Sequence, residues 1–138
     1  MNRVPPVFEF LNGLRSLRDP QQRMARLVAW GKTMPSLSGD DRSEDARVAG
    51  CVAQLWFVAG MRNGLCEFRC DSDSAVVRAV AGLLCAVHTE LDPAAVLALE
   101  GDPLADAGIQ HHLSTNRRLG LGRMRERIRA YAQAQLPP

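Results

Sequence analysis

The chain has 138 residues, 46% apolar and 23% charged. These are the proportions of one globular domain that buries its core without disulfide or metal staples. A formal net charge of +2 is too small to argue for a nucleic-acid partner. The uncharged stretches Val48 to Met61 and Ala79 to Thr89 both fall short of the ~20 apolar residues of a membrane span. Lys32 is the only lysine among many arginines, which we read as codon bias. Met1-Asn2-Arg3-Val4-Pro5-Pro6 lacks the apolar run of a secretory signal. The expectation is a single cytoplasmic domain over residues 1–138, with its four cysteines reduced.

Val7, Phe8, Phe10, Leu11, Leu14 and Leu17 recur at helical spacing and predict a first amphipathic helix. Asp19-Pro20 is an N-cap followed by proline at the first helical position. The second helix carries Met24, Leu27 and Val28 inward and stops near Gly31. Thr33 to Ala46, with Pro35, Gly39 and a polar cluster at 38–43, predicts a loop long enough to be functional.

Val52 to Ala59 is rich in β-branched and aromatic residues and predicts a strand. Asn63-Gly64 is the strongest hairpin signal in the chain. Leu65 to Cys70 is the return strand, with Cys66, Phe68 and Cys70 on one face. A third short strand is expected around Arg47 to Ala49. Asp73 or Ser74 caps the next helix. Val76, Val77, Val80, Leu83, Leu84 and Val87 surround that helix, so it is central and buried. Asp92-Pro93 and Asp102-Pro103 predict two short helices. The last helix starts near Asn116, with an apolar stripe of Leu121, Met124, Ile128 and Tyr131. Helices, then strands, then helices argue for α+β, with a small antiparallel sheet packed by helices.

Cys66 and Cys70 have three residues between them and no histidine at ligand spacing, which disfavours zinc. With Cys85 in an apolar helix, all three are expected to be small buried hydrophobes. His88 is expected in the core. The side chains of His111 and His112 point to different faces, so a shared metal is not expected. Asp71 and Asp73 are expected to make a turn and a helix cap. Arg123, Arg125, Arg127 and Arg129 are expected to form a solvated helix face, ahead of an acidic-partner surface or a nucleic-acid site. P-loop, dinucleotide-binding and nucleophile-elbow motifs are absent from the sequence. Cys51 stands apart: it follows Gly50, at the junction of the long polar loop and an apolar strand. On residue pattern alone, a cysteine placed there is more often structural than reactive.

Gly50-Cys51-Val52-Ala53-Gln54-Leu55-Trp56 resembles the signature around the acceptor cysteine of the SufE family. Gly31, Met34-Pro35 and Leu37 resemble the family's G-x-x-L-P-x-L segment, and Asp41-Arg42 its linker to the cysteine loop. Asp71 to Arg78 resembles its G-D-S-D-A stretch. His112-Leu113-Ser114 with Asn116-Arg117 and Gly120-Leu121 resembles its H-L-S/T-x-x-R segment. The pieces stand in order over Gln21 to Ala134. Ala53, Cys70 and Arg47 depart from the residues usual at their positions, and none is the acceptor cysteine.

The resemblance implies a SufE/IscU-like α+β fold and a sulfur acceptor. Cys51 takes persulfide sulfur from a PLP-dependent cysteine desulfurase of the SufS or CsdA type. The sulfur then passes to a downstream iron–sulfur scaffold complex. The protein stimulates its partner, carries no cofactor and has no stand-alone activity; PLP belongs to the desulfurase. Gly50, Gln54, Trp56, Asp73 and Arg117 are the implied supporting residues. Arg117, then Arg42 and Arg47, are candidates for the positive neighbour that a thiolate needs. No metal, nucleic-acid or membrane partner is implied, and the chain is expected to be a monomer or weak homodimer. The alternatives are a scaffold or metal-binding module on the same fold, or a basic nucleic-acid-binding domain using the last helix.

Overall fold

The computed structural model describes residues 6–50, 53–99, 101–110 and 113–138. The expectations at Met1 to Pro5, Cys51, Val52, His111 and His112 lie outside the described residues.

Two helices open the fold, α1 (Pro6–Ser16) and α2 (Pro20–Gly31). Val7, Leu11 and Leu14 are the buried stripe of α1, as the helical spacing predicts. Asp19 caps α2 by accepting the N–H of Gln21, with Pro20 at the first helical position. Phe10 and Trp30 stack with ring centroids 5.0 Å apart, joining the two helices. The end of α2 meets a later helix without a side chain between them. A Cβ on Gly31 would sit 2.7 Å from both Cα and Cβ of Ala79.

After the loop come β1 (Leu55–Arg62) and β2 (Leu65–Ser72), an antiparallel pair running from Leu55↔Ser72 to Arg62↔Leu65. Asn63 (φ 54°) and Gly64 (φ 80°) form the turn. Two positive φ angles suit the right-handed strand twist, and Asn-Gly tolerates them. Cys66, Phe68 and Cys70 are buried on one face of β2. Phe68 stacks on Phe57 and meets Tyr131 edge-on.

The strand expected from Val52 begins at Leu55, because side chains take over the backbone groups before it. Gln54 N–H donates to Asp73, and Ser72 Oγ donates to the Gln54 carbonyl. β1 also runs past Ala59, since the tight turn lets pairing continue to Arg62. The expected third strand is a single bridge, Arg47↔Trp56. Val48 N–H donates to Leu55 O and Phe57 N–H to Ala46 O, both at 2.8 Å. Pairing stops there because Ala46 and Arg47 spend their own N–H groups on turns to Ser43 and Glu44. Gly50 then takes φ +85°.

α3 (Ala75–His88) is the central helix. Val77, Ala79, Val80, Leu83 and Leu84 are among its buried residues, and it packs on β2, α2, α6, α5 and α1. Ser74, not Asp73, is its cap, accepting from Val77 N–H. Two short helices follow, α4 (Pro93–Ala98) and α5 (Pro103–Asp106), capped by Asp92 and Asp102 as expected. α6 (Thr115–Gln135) closes the fold, capped by Ser114, and buries Leu121, Met124 and Ile128. One apolar cluster joins the elements into an α+β fold around a two-stranded sheet. Among the described residues, no helix is long and apolar enough to cross a membrane.

Candidate functional site

Cys51 itself lies outside the described residues, so the site is built from what flanks it. On one side is Gly50, with its left-handed φ of +85°. A Cβ there would meet the Arg123 guanidinium, at 2.8 Å from Nη1, 2.9 Å from Cζ and 3.1 Å from Nε. Three nearly equal distances mean that the flat face of the guanidinium lies against the Gly50 backbone.

On the other side, Ala53 lines a concavity with Asp73, Ser114, Asn116 and Arg117. The Asp73 carboxylate holds the Gln54 N–H at 3.0 Å. Ser114 accepts from Arg117 N–H at 3.2 Å, which starts α6 beside the cleft. Two implied supporting residues, Asp73 and Arg117, thus share one concavity next to Ala53. Gln54 is tied there through its backbone.

Trp56 belongs to a separate cluster. Its ring lies under the Arg42 guanidinium at 5.5 Å. Arg42 also donates to Asp71 at 2.7 Å. Asp71 was expected in a turn but is a buried hub. It accepts from Leu37 N–H at 3.0 Å and Ser72 N–H at 2.8 Å. Arg78 Nε stands 3.2 Å from its other side as an ion pair. Burial works against the charge, but the hydrogen bonds from Leu37, Arg42 and Ser72 prevail and hold the carboxyl below its usual range. Arg42 is therefore committed to Asp71 and is a poor candidate for the positive neighbour of Cys51. Arg47 lines the groove at Val48, Ala49 and Gly50, and its guanidinium stands 3.8 Å from Glu44.

The C-terminal arginines correct another expectation. Arg127 donates to the carbonyls of Asp45, Ala46 and Arg47 and covers the Phe57 ring. Arg125 reaches the Gly101 carbonyl and Asp102, and Arg129 the Leu97 carbonyl. These tether α6 to two loops and to the last turn of α4, where carbonyls lack helical partners and a guanidinium can supply the donors. Arg123 is the one that sequence reasoning missed as a site residue. Its place in an alternating arginine series carries no hint of Gly50, a contact made only by the tertiary fold.

Cys66, Cys70 and Cys85 are buried free thiols, as expected. Burial, and Asp92 after it, pushes the Cys66 thiol up. The Cys70 thiol and then burial push Cys85 up further. His88 is buried, with Nδ1 2.7 Å from the Leu84 carbonyl. Burial lowers its pKa, opposed by that hydrogen bond and helped by Arg125 and Arg129. Among the described residues, no three His, Cys, Asp or Glu side chains gather as a metal site.

Residues 9–132 match the family model described as SufE, an Fe-S metabolism associated domain. The chain belongs to the SufE family. An uncharacterized SufE-like protein from Rhizobium etli is 28% identical over 124 residues, 86% of this chain and 84% of that one. The solution structure of a hypothetical protein from Thermus thermophilus superposes with a TM-score of 0.75, covering 96% of this chain and 97% of that chain. At 23% identity it shares the fold. SufE membership carries a sulfur-transfer role beside a cysteine desulfurase in Fe-S metabolism.

Proposed function

We propose that this SufE-family protein accepts persulfide sulfur on Cys51 from a PLP-dependent cysteine desulfurase of the SufS or CsdA type. It hands that sulfur on to an iron–sulfur scaffold complex in the cytoplasm. The Cys51 thiolate attacks the outer sulfur of the desulfurase persulfide. A new S–S bond forms on Cys51, the old one breaks, and its electron pair leaves on the desulfurase sulfur as a thiolate. One sulfur moves and no external oxidant or reductant is consumed, as in thiol–disulfide exchange.

The observation that carries the reading is the chemistry around the residues flanking Cys51. Gly50 lies under the Arg123 guanidinium, and Ala53 shares a concavity with Arg117. A thiolate is the nucleophile in such an exchange, and positive neighbours favour it. The other three thiols are buried, two of them with raised pKa values, so they compete poorly as nucleophiles.

The test compares wild type with Cys51→Ser, each mixed with desulfurase and L-cysteine. Wild type should stimulate turnover and gain about 32 Da, one sulfur, lost again on reduction. Cys51→Ser should fold, do neither, and still bind the desulfurase, since docking uses far more surface than one atom. A folded Cys51→Ser variant that still stimulates turnover or gains the mass would overturn the reading.

A further inference from the structure

We propose that Met34, Cys70 and Cys85 form a second site, which holds a soft monovalent metal ion, Cu(I), through sulfur alone. The site is independent of the acceptor chemistry and uses two thiols that this chemistry leaves idle.

A cavity of about 370 Å³ opens between α1, α2, β2 and α3, and Met34, Cys70 and Cys85 all line it. Cys70 comes from β2 and Cys85 from α3, and both are buried free thiols. The Cys70 thiol, ahead of burial, pushes Cys85 up, so the two thiols feel each other across the gap between strand and helix. Met34 is brought to the cavity by its backbone. Its N–H donates to the Gly31 carbonyl at 3.2 Å, and its own carbonyl accepts from Arg78 at 2.6 Å. Its thioether is seated on Gly82, where a Cβ would overlap both Sδ and Cε. Gly82 and Cys85 are three residues apart and lie on one face of α3. The third sulfur thus rests about one helical turn from the Cys85 position. The rotatable bonds of methionine let it follow an ion.

Two thiols and a thioether are a soft donor set, and such ligands select Cu(I), whereas carboxylates suit magnesium, calcium or manganese. Among the described residues, Glu90 is the one carboxylate on the cavity wall. Zinc takes four ligands from cysteine, histidine and carboxylate, so this set falls short of a zinc site. The ion arrives bound to two low-molecular-weight thiolates. Two copper–sulfur bonds to them break and two to Cys70 and Cys85 form. The protein thiols give their protons to the departing thiolates, and Met34 adds a lone pair. Copper stays monovalent, and no oxidant or reductant is consumed. The raised pKa of Cys85 keeps that thiol protonated without an ion, whereas a bound metal deprotonates a coordinating thiol outright. The complex carries one negative charge, and Arg69 is a cation on the same wall.

The experiment is anaerobic titration with the coloured Cu(I)–bicinchoninate complex, on full-length chains whose fold is checked by circular dichroism. Cys51→Ser is the parent in every arm, so that the acceptor thiol does not compete. The parent should withdraw one Cu(I) per chain and bleach the complex. Adding Cys70→Ser or Cys85→Ser should abolish the withdrawal. Adding Met34→Leu, which conserves volume, should weaken it. Adding Cys66→Ser should change nothing, because Cys66 lies off the cavity wall, ~13 Å from Cys70 along β2. X-ray absorption of the loaded parent should show sulfur neighbours alone. The proposal is overturned by a folded parent that withdraws no copper, or by undiminished withdrawal in folded Cys70→Ser, Cys85→Ser or Met34→Leu. Loss of withdrawal in folded Cys66→Ser, or nitrogen or oxygen neighbours around the copper, would overturn it equally.

Discussion

The carboxylate of Asp73 accepts the backbone N–H of Gln54 at 3.0 Å, tying the turn before α3 to the segment that follows Cys51. Asp73→Ala removes that acceptor. Amide exchange at Gln54 should accelerate, and stability should fall by about 1 kcal/mol. Asp73→Asn keeps an acceptor oxygen and should lose less. A Gln54 amide still fully protected in Asp73→Ala would show that the tie is redundant.

Asp71 serves four partners at once, Leu37, Arg42, Ser72 and Arg78, so its loss should cost more than that of any surface charge. Asp71→Asn leaves Arg78 facing a neutral amide in a buried setting, and about 3 kcal/mol of destabilisation is expected. The pH dependence has a definite sign. The folded carboxyl titrates below the unfolded value of about 3.9. Its contribution is present above that value and disappears as pH falls through the lower folded one. Urea midpoints of wild type should drop across that acid window. The Asp71→Asn curve should lack this component; parallel curves would contradict it.

His88 should act at milder acidity. Its folded pKa lies below the usual value, because burial disfavours the imidazolium. The unfolded chain therefore takes up the proton first, at about pH 6.5. Stability is full above that pH and declines as pH falls towards the folded value. His88→Phe should flatten this decline. The measurement is the difference in unfolding midpoint between the two proteins, which cancels the contribution of His111 and His112.

Cys70 on β2 and Cys85 on α3 are both buried, and the Cys70 thiol helps to push the Cys85 pKa up. Serine at either position puts a hydroxyl in an apolar setting and should cost about 1–3 kcal/mol. Sulfur acceptance should stay near wild type. Loss of acceptance in a folded Cys70→Ser or Cys85→Ser protein would point to a relay among thiols.

Local signals located most of the fold. The three Asp-Pro caps, the Asn63-Gly64 turn and the burial of α3 depend on neighbours within a few residues, so spacing and residue type sufficed. The flanking segments of Cys51 were legible only through the family pattern, since Gly-Cys at a strand edge is equally at home in a core. What stayed hidden was long-range and polar. Asp71 gathers Leu37, Arg42 and Arg78 from two other segments, and a buried carboxylate has no periodicity to betray it. The grip of Arg127 on residues 45–47 spans 80 residues or more. Arg123 at Gly50 is hidden for the same reason.

The contact of Gly31 with Ala79 binds the histories of two positions together. Where a Cβ at 31 would stand 2.7 Å from the Cα and Cβ of 79, the two residues divide one small volume between helices α2 and α3. Either can grow only as the other shrinks or the helices part. Substitutions there are non-additive by construction. Gly31→Ala alone pries the helices apart, and Ala79→Gly returns part of the room, though the Ala79 Cα still crowds the new methyl. Drift along the lineage can therefore lengthen either side chain only by small, paired steps, and a library that varies one position without the other will find the neighbourhood immovable.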